Sequence, residues 1–275
     1  QSPEAEIATE TLFFRHLRMP NGTYKTTYPN RMPDVDAAVA DVIAAAPPGP
    51  GMRVQVLDVG VSSGVTTIEF ADALAMRGMD VTVVAVDLFV SAFLHRVAGV
   101  DLLCDASGQV LQIASPLGVK GRPHDPHASF ARASLQRLFD GVEQIIGSPD
   151  GARRGTPIQL VSPRLVRRPG TAIVEHDLTT PRDEWVDRFD VVRAANVLNR
   201  DYFDDTTLRR MLVHLMTYVR SGGLLVLCRT HDETRTNHAS VLRRADGMFD
   251  VVTRIGDGSE IESLAVPEHS ATEHT

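Results

Sequence analysis

Residues 54 to 67 have the sequence Val54-Gln-Val-Leu-Asp58-Val-Gly60-Val-Ser62-Ser63-Gly64-Val-Thr-Thr67. The apolar run 54–59 is too short for a helix and is rich in β-branched residues, which predicts a buried strand. Gly60 and Gly64 give the backbone the freedom that a sharp turn against a ligand requires. A helix is expected from about residue 66 to 77. A strand, a glycine turn and a helix in this order predict a nucleotide-sized binding site.

A second apolar run, Val81-Thr-Val-Val-Ala-Val86-Asp87, also ends in an acid. In a doubly wound sheet, ligands lie outside the carboxyl ends of the strands, and an acid after the second strand can accept both hydroxyl hydrogens of a ribose. Asp58 and Asp87 are therefore expected at one rim. The sequence predicts an α/β fold with a doubly wound sheet.

Several segments in order resemble the motifs of class I S-adenosylmethionine-dependent methyltransferases. Asp58-x-Gly60-x-Ser62-x-Gly64 resembles the first motif, with Ser62 in place of the middle glycine, and Asp87 matches the ribose-binding acid. Glu175-His-Asp177-Leu178 resembles the segment that contacts the adenine. Residues 189–198 resemble the fourth strand, and residues 212–227 resemble the helix, Gly-Gly turn and fifth strand. The resemblance covers roughly residues 51 to 262.

The resemblance implies a mostly parallel seven-stranded sheet with helices on both faces, an N-terminal helical cap and an insertion after the second strand. It also implies S-adenosylmethionine as the cofactor. The residues expected to bind it are Asp58, Gly60, Ser62, Ser63, Gly64, Asp87, Leu88, His176, Asp177, Leu178 and Asn196.

The predicted reaction is an in-line methyl transfer to a small-molecule acceptor in specialised metabolism, with catalysis by alignment and with a base only where the acceptor loses a proton. The catalytic candidates follow the fourth and fifth strands and are Asn196, Asn199, Tyr202 and His231. Asn196-Val-Leu is similar to a segment of chemotaxis-receptor carboxyl methyltransferases, so a protein carboxyl methyltransferase is one alternative. A methyltransferase-like binding protein without turnover is another, because Ser62 replaces a glycine and no base is obvious.

The glycine turn has two further interpretations. A dinucleotide-binding oxidoreductase normally has G-x-G-x-x-G, in which the third glycine lets helix and strand approach closely. Here the positions are Gly60, Ser62 and Gly64, and no glycine follows in the predicted helix. The spacing therefore favours adenosylmethionine over a nicotinamide dinucleotide. A glycine turn that binds nothing is the plainest alternative, and Asp87 with the later strands argues against it.

Composition sets the remaining expectations. The chain has 275 residues, 43% of them hydrophobic, and a net charge of −7. A core of useful size is expected, and a general nucleic-acid binder is not, because such proteins carry a basic face. No apolar run approaches the ~20 residues that cross a bilayer. Cys104 and Cys228 are expected to be buried reduced thiols, which fits a cytoplasmic protein; a homodimer is compatible with the sequence.

We expect two parts, an N-terminal helical cap or lid over residues 1–50 and a methyltransferase-like domain over residues 51–275. An insertion at about 88–170 is expected either to shape the acceptor pocket or to form an oligomer surface. The elements predicted outside the motifs are helices at 7–17, 34–46, 93–98, 129–146 and 239–244, a hairpin of 100–105 with 109–114, and strands at 158–161, 248–255 and 260–266.

Two groups of residues raise the question of a metal. His124-Asp125-Pro-His127 and His231-Asp232-Glu233 each hold several metal-ligating side chains. A proline-containing loop is a poor preformed tetrahedral cage, and no functional metal is expected. His231 is interpreted either as a general base or substrate contact, or as a solvent-exposed histidine.

Overall fold

A computed structural model describes residues 3–25, 27–45, 53–123, 129–146, 148–231 and 233–266. The chain divides into two compact units. Unit 1 contains Gln1–Thr27 and Phe89–Ser162, and unit 2 contains Tyr28–Leu88 and Pro163–Thr275. The N-terminal segment 1–50 therefore contributes to both units, and most of the insertion belongs to unit 1.

The helices, in chain order, are α1 (Pro3–Arg15), α2 (Pro33–Ala45), α3 (Val65–Met76), α4 (Phe130–Ile146), α5 (Pro149–Ala152), α6 (Pro163–Val166), α7 (Asp205–Tyr218) and α8 (Glu262–Ala265). The strands are β1 (Val54–Val59), β2 (Val81–Asp87), β3 (Ser91–Val97), β4 (Val100–Cys104), β5 (Val110–Ser115), β6 (Gly118–Gly121), β7 (Thr156–Gln159), β8 (Thr171–Glu175), β9 (Phe189–Ala195), β10 (Val219–His231), β11 (Thr236–Ala245) and β12 (Met248–Ile255).

Unit 2 is built on a seven-stranded sheet in the order β12-β11-β10-β9-β1-β2-β8. The five strands from β10 to β8 are parallel, and β11 and β12 are antiparallel to their neighbours. The predicted α/β sheet is present, and it is mixed. Because β1 lies between β2 and β9, the carboxyl ends of these three strands share one edge.

Side chains alternate between the two faces of β1, and both faces are covered. Leu57 and Val59 pack in an apolar cluster with α7, which includes Leu212. Asp58 lies on the opposite face, where its ion-pair partner also contacts α2 and α3. This burial on both faces explains why β1 is an almost continuous apolar run.

The predictions for the last elements were partly wrong. Residues 239–244, predicted as a helix, lie in β11, which pairs with β10 on one side and β12 on the other. Residues 260–266, predicted as a strand, contain the short helix α8. There the Glu262 carboxylate accepts hydrogen bonds from Arg254 and from Ser240. The sheet therefore ends in a meander of consecutive antiparallel strands, because two partner strands outweigh the local helical pattern.

Unit 1 contains a second, antiparallel sheet in the order β6-β5-β4-β3-β7. Strand alternation in β4 sends Leu103 into a cluster with Phe14 and Leu17, and Leu102 into a cluster with Phe139 of α4. The N-terminal residues thus cover one face of this sheet and α4 covers the other. The predicted hairpin and the helix at 129–146 are confirmed.

The helix predicted at 93–98 was wrong, because most of this segment forms β3. Phe93 pairs with Cys104 on one side and with Pro157 on the other. Ala98 and Gly99 both have positive φ, 49° and 80°, and they join β3 to β4 as a two-residue hairpin loop. Such loops need two residues with positive φ, which the Ala-Gly pair supplies. The predicted strand at 158–161 is shifted to Thr156–Gln159 and belongs to this sheet.

Cys104 and Cys228 are both free and buried, as predicted. Burial raises the pKa of each thiol to about 12, so neither forms a reactive thiolate near neutral pH. No helix in the described ranges is long and apolar enough to cross a membrane.

Candidate functional site

The loop between β1 and α3 has an unusual backbone. Gly60, Ser62 and Gly64 have φ values of 71°, 54° and 80°. A Cβ atom on Gly60 would lie 2.5 Å from Cβ of Val197, and one on Gly64 would lie 2.5 Å from Cδ2 of Leu165. A side chain at Gly60 would be strained and would clash with Val197 close to its backbone, whereas one at Gly64 would be strained and would have to displace the flexible end of Leu165. Ser62, which replaces the middle glycine of the resembled motif, adopts a glycine-like conformation.

Hydrogen bonds attach this loop to the end of β2. The amides of Gly60 and Val61 donate to the Val86 carbonyl, at 2.8 Å and 3.1 Å. The amide of Ser62 donates to Oδ2 of Asp87 at 2.7 Å. Asp87 is half-buried, and Leu88 after it is exposed. The structure therefore brings the predicted glycine loop and the predicted acid into direct contact.

The Ser63 hydroxyl lies in the same loop. Ser63 is 1% exposed, and its Oγ has no hydrogen-bond partner among the residues that the structure describes. A buried hydroxyl without a partner loses the hydrogen bonds that it would make to water. It is the kind of group that a bound polar ligand can satisfy.

The end of β8 forms a tight turn next to Asp87. The amide of His176 donates to the Asp87 carbonyl at 3.0 Å, and Nε2 of His176 lies 3.0 Å from the Thr180 carbonyl. Burial lowers the pKa of His176, which favours its neutral form near pH 7. Asp177 is exposed, and its Oδ1 accepts hydrogen bonds from the amide and hydroxyl of Thr179. Leu178 packs against the apolar cluster of unit 2.

Asp58 has quite different surroundings. Its carboxylate forms an ion pair with Arg193 of β9, with 3.4 Å between Oδ1 and Nε, and both side chains are buried. Arg193 also lies 3.2 Å from Oδ1 of Asp36 in α2 and donates to the Thr66 carbonyl at the start of α3. The guanidinium stacks over the Phe70 ring at 4.7 Å. One cation thus connects β1, α2 and α3 beneath the glycine loop.

The buried charges shift one another's ionisation. Burial raises the pKa of Asp36 to about 6, against the opposing effect of Arg193. Burial also raises the pKa of Asp58, and the charge of Arg193 again opposes the shift. The charge of Arg193 therefore favours the ionised form of both carboxylates in a site from which water is excluded.

A chain of polar side chains lies at the carboxyl ends of β9 and β10. Asn196 has a positive φ of 59°, and its Oδ1 accepts from the amide of Thr230 at 2.7 Å. The Thr230 hydroxyl donates to Asn237 at 2.8 Å, and Asn237 donates to Asp34 at 2.6 Å. Asn196 is thus held in one orientation by the neighbouring strand and, through it, by the start of α2.

The other catalytic candidates have separate environments. Asn199 is buried, and its Oδ1 accepts from the amide of Asp201 at 3.1 Å, so its side chain shapes the loop after β9. Tyr202 is 60% exposed. His231 is exposed, and its ring lies 4.7 Å from the ring of His238.

The described residues contain no group of three or more His, Cys, Asp and Glu side chains arranged to hold a metal ion. His124, Asp125, His127 and Asp232, which the sequence analysis considered, lie outside the described residues.

Four residues of this region were not identified from the sequence: Asp36, Arg193, Thr230 and Asn237. The sequence does contain a feature that could have identified Arg193, because it is the single charge within the apolar part of the run Val191-Val-Arg193-Ala-Ala195. A lone cation in a buried strand requires a buried anionic partner. Asp36 lies in the first turn of α2. In the sequence, that position suggests that Asp36 stabilises the start of the helix, and it gives no indication that Asp36 pairs with Arg193.

Comparison with known proteins shows that the chain is similar to several solved structures of methyltransferases. The CMeT domain of the citrinin polyketide synthase is 13% identical, with 82% of this chain and 39% of that chain covered and a TM-score of 0.39. The N-methyltransferase NodS from Bradyrhizobium japonicum, in complex with S-adenosylhomocysteine, is 14% identical, with 80% and 72% covered and a TM-score of 0.37.

An amino pentose methyltransferase from Micromonospora echinaspora, with S-adenosylmethionine bound, is 17% identical, with 84% and 80% covered and a TM-score of 0.36. The chain thus spans 39% of the citrinin polyketide synthase chain and larger shares of the other two. No family model and no curated protein matches the chain.

Proposed function

We propose that this protein is an S-adenosylmethionine-dependent methyltransferase that acts on a small-molecule acceptor. The observation that carries the proposal is the contact between the Ser62 amide and the Asp87 carboxylate. It joins a glycine-rich strand-to-helix loop to an acid at the end of the adjacent parallel strand. In a doubly wound sheet this is where nucleoside ligands bind.

The residues present fit the adenosyl part of such a cofactor. Asp87 offers a carboxylate for the ribose hydroxyls, and the turn from His176 to Leu178 supplies the rim for the adenine. The Ser63 hydroxyl, buried without a described partner, supplies a further polar group. Asp58 supports the loop from beneath through Arg193. In this proposal Asp58 acts as a buried support of the loop rather than as the direct cofactor contact that the sequence predicts.

The loop also favours this cofactor over a nicotinamide dinucleotide. Helix α3 begins at Val65, directly after Gly64, and the third glycine of the dinucleotide pattern is missing from its first turn. In dinucleotide-binding folds the second glycine lets the backbone approach the pyrophosphate and the third permits close helix–strand packing; Ser62 and Val65 stand at these positions here.

When bound, the cofactor supplies a methyl group on a positively charged sulfur, already activated for displacement. The chain's own task is then to align the acceptor and exclude water. Asn196, fixed by Thr230, is proposed to orient the acceptor or the donor at the end of β9. His231 and Tyr202 are exposed and can contact an acceptor, and His231 can accept a proton from an acceptor that loses one.

A second candidate is a methyltransferase-like binding protein without turnover. The observation that favours it is the exposure of Tyr202 and His231, the candidates for contact with an acceptor, which are not enclosed in a site that excludes water. In this case the cofactor binds, but no acceptor is methylated.

Calorimetric titration with S-adenosylmethionine, S-adenosylhomocysteine and NADH tests the proposal. We expect micromolar binding of both sulfur ligands, affinities that correspond to about −8 kcal/mol, and no binding of NADH. Binding of NADH alone would overturn the cofactor assignment. Binding of the sulfur ligands without methylation of any compound in an acceptor screen would favour the second candidate.

The same titration, repeated with the Asp87→Asn variant, tests whether Asp87 binds the ribose of the cofactor. Losing a charged hydrogen-bond acceptor for the ribose should weaken binding by about 10- to 100-fold. Asp80→Asn is the matched control, because Asp80 lies just before β2, at the opposite end of the same strand, and its side chain is 63% exposed. An equal loss in both variants would contradict the placement of the ribose.

A further inference from the structure

The side chain of Asn196, at the carboxyl end of β9, is held in one orientation by the neighbouring strand. A carboxamide keeps its shape when it is turned by half a revolution, so its hydrogen-bond partners decide where the oxygen and the nitrogen lie. The backbone amide of Thr230 in β10 can only donate, and it lies 2.7 Å from Oδ1 of Asn196. A turned carboxamide would place two donors against each other. Oδ1 therefore faces the Thr230 amide, and Nδ2 is left for other partners.

Asn237 of β11 sets the direction of the hydrogen bonds around Thr230. Its Nδ2 donates to Oδ1 of Asp34 at 2.6 Å and to the Arg31 carbonyl at 3.1 Å. A carbonyl and an ionised carboxylate can only accept, so the two ends of Asn237 cannot exchange places. Its Oδ1 lies 2.8 Å from the Thr230 hydroxyl, which therefore donates its proton there. Towards Asn196, this hydroxyl can then only accept.

The Nδ2 atom of Asn196 is a donor whose capacity is largely unused. It lies 3.5 Å from the Thr230 hydroxyl oxygen and 3.9 Å from Sδ of Met32. An ordinary N–H···O bond measures about 2.7 to 3.2 Å, and a thioether is a weak acceptor. Within the part of the chain that the structure describes, these two long contacts are the hydrogen bonds of this amide. An oxygen atom of a bound molecule would supply the stronger partner.

The surroundings of this amide are weakly polar. Met32 is 2% exposed, and its sulfur lies 3.3 Å from Sγ of Cys228, which is also buried. Asn196 itself is half-buried. A hydrogen bond is electrostatically stronger where water is partly excluded, and the sulfur atoms compete for the donor only weakly. The Asn196 carboxamide is thus a preoriented donor in a place where one hydrogen bond has a large effect.

The backbone of Asn196 also distinguishes this position. Its φ of 59° lies in the left-handed region, which is uncommon for residues other than glycine. The Asn196 amide donates to the Cys228 carbonyl at 2.9 Å, so both backbone and side chain are attached to β10. Such conformations cluster at active sites and ligand clamps, where the surroundings hold them. A glycine here would relieve the conformation but would also remove the carboxamide.

We propose that Asn196 recognises a carbonyl or carboxylate oxygen of the methyl acceptor as a fixed hydrogen-bond donor, with Thr230 and Asn237 as its positioning residues. The inference rests on the proposed function, which makes the end of β9 the acceptor side of the site. Oxygens of these two groups accept from a neutral N–H, whereas an ammonium group can only donate and would face another donor. The acceptor therefore presents such an oxygen to Asn196, and an ammonium group at this position is rejected.

Nuclear magnetic resonance of the side-chain amides tests the donor directly. The Asn196 NH2 signal is assigned by its loss in Asn196→Asp. The probes are acetamide, acetate and methylammonium, each added to the chain saturated with S-adenosylhomocysteine. Acetamide or acetate should shift the Asn196 NH2 protons downfield in a saturable way, and methylammonium should not. The exposed side-chain amide of Asn21 is the internal control, and its signal should not change. A response to methylammonium, or no saturable shift with either oxygen probe, overturns the proposal.

The carboxylate of S-adenosylhomocysteine is the other possible source of such an oxygen, so the cofactor is compared with 5′-methylthioadenosine, which lacks that carboxylate. The two nucleosides should act alike on the Asn196 signal, because neither is bonded to the carboxamide. A downfield shift with S-adenosylhomocysteine only would assign the donor to the cofactor and overturn the inference.

Probe titrations without any nucleoside separate this inference from the proposed function. If S-adenosylhomocysteine does not bind but the probes still shift the Asn196 signal, the proposed function fails and the donor at Asn196 stands. If S-adenosylhomocysteine binds and the probes give no shift, the inference fails alone.

Thr230→Val and Thr230→Ser test the positioning role. Valine has the shape of threonine without the hydroxyl, and serine keeps the hydroxyl. Thr230→Val should weaken the binding of the responding probe by about three- to tenfold, as for the loss of one hydrogen bond, and Thr230→Ser should restore it. Asn237→Leu, which also leaves the Thr230 hydroxyl without its acceptor, should act like Thr230→Val. Circular dichroism checks that the variants are folded. Equal probe affinity in Thr230→Val and Thr230→Ser contradicts the positioning role.

Discussion

Asp58 at the end of β1 and Asp87 at the end of β2 lie on neighbouring strands, and their carboxylates have opposite surroundings. Asp58 is 2% exposed and ion-paired with a buried arginine, whereas Asp87 is half-buried and accepts a hydrogen bond from the glycine loop. One carboxylate pairs with the arginine beneath the loop, and the other, which we propose binds the ribose, contacts the loop itself. Two acids that look equivalent in the sequence are therefore expected to differ in what their loss changes, folding in one case and binding in the other.

The largest effect is expected for Arg193→Met, which leaves Asp36 and Asp58 buried without their cation. The free energy of unfolding should fall by about 3 to 5 kcal/mol, as for other buried ion pairs that lose one partner. Urea denaturation measures this loss. Arg53→Met is the control, because the Arg53–Asp80 pair is exposed and such pairs contribute at most about 1 kcal/mol.

The triple variant Arg193→Met, Asp36→Asn, Asp58→Asn shows whether charge is the cause. With no buried anion left, it should regain part of the lost stability. If the triple variant is no more stable than Arg193→Met alone, the unpaired charges do not explain the loss, and the lost packing of the arginine does.

The second-largest effect is a pH dependence of the unfolding free energy that arises from Asp36. Its pKa of about 6 in the folded protein exceeds the ordinary value of 3.8. The folded state therefore holds this proton more tightly than the unfolded state, and the stabilisation is complete below about pH 4 and lost as pH rises through 6. The difference of about two units corresponds to about 3 kcal/mol.

Asp36→Asn should remove this dependence. Between pH 4 and pH 7, the unfolding free energy of the unchanged chain should fall relative to that of the variant. Asp41→Asn is the control on the same helix, because the Asp41 side chain is 66% exposed. Parallel pH profiles for the unchanged chain and Asp36→Asn would show that Asp36 is ionised normally.

Asp58→Asn sharpens the contrast with Asp87. It removes one of the two anions that pair with Arg193, and we expect a loss of about 2 kcal/mol in unfolding free energy. Its affinity for S-adenosylhomocysteine should fall less than that of Asp87→Asn in the same titration. The reverse order would place Asp58 in direct contact with the cofactor.

The smallest effect is expected for Ser62→Gly. Glycine relieves the left-handed conformation but loses more entropy on folding, so the net change should stay below about 1 kcal/mol. The bond to Asp87 uses the backbone amide, which glycine retains. Cofactor affinity should therefore be unchanged within about twofold; a tenfold loss would assign the hydroxyl a direct role.

Local pattern predicted the parts of the fold that are buried on both faces. The runs that form β1 and β2 are continuous and apolar, and the glycine turn between them has few alternative conformations. The contact of the loop with Asp87 followed from the rule that adjacent parallel strands end at one edge. Helix α4 was predicted from its spacing of apolar residues, although that spacing did not separate the buried Phe139 from exposed apolar residues such as Phe130 and Ile145.

The sequence was less informative where distant segments decide the structure. Residues 93–97 and 239–244 become strands because each pairs with strands on both sides. The short helix after β12 depends on Glu262 reaching Arg254 and Ser240. The partners of Arg193 come from β1, α2 and α3, and no spacing rule connects them. Long-range pairing of this kind is not encoded in any single window of the chain.

Unit 1 is assembled from segments that are far apart in the chain, and this has a consequence for synthesis on the ribosome. Phe14 and Leu17 share their cluster with Leu160. At typical elongation rates of about 5 to 20 residues per second, the interval between them is roughly 7 to 30 s. Leu103 and Leu111 of the same cluster are made earlier, so during that interval the apolar side of the N-terminal segment is covered only in part. The nascent chain therefore begins this apolar cluster with its N-terminal segment and completes it only after residue 160, so part of the cluster stays open to aggregation or to chaperones during synthesis.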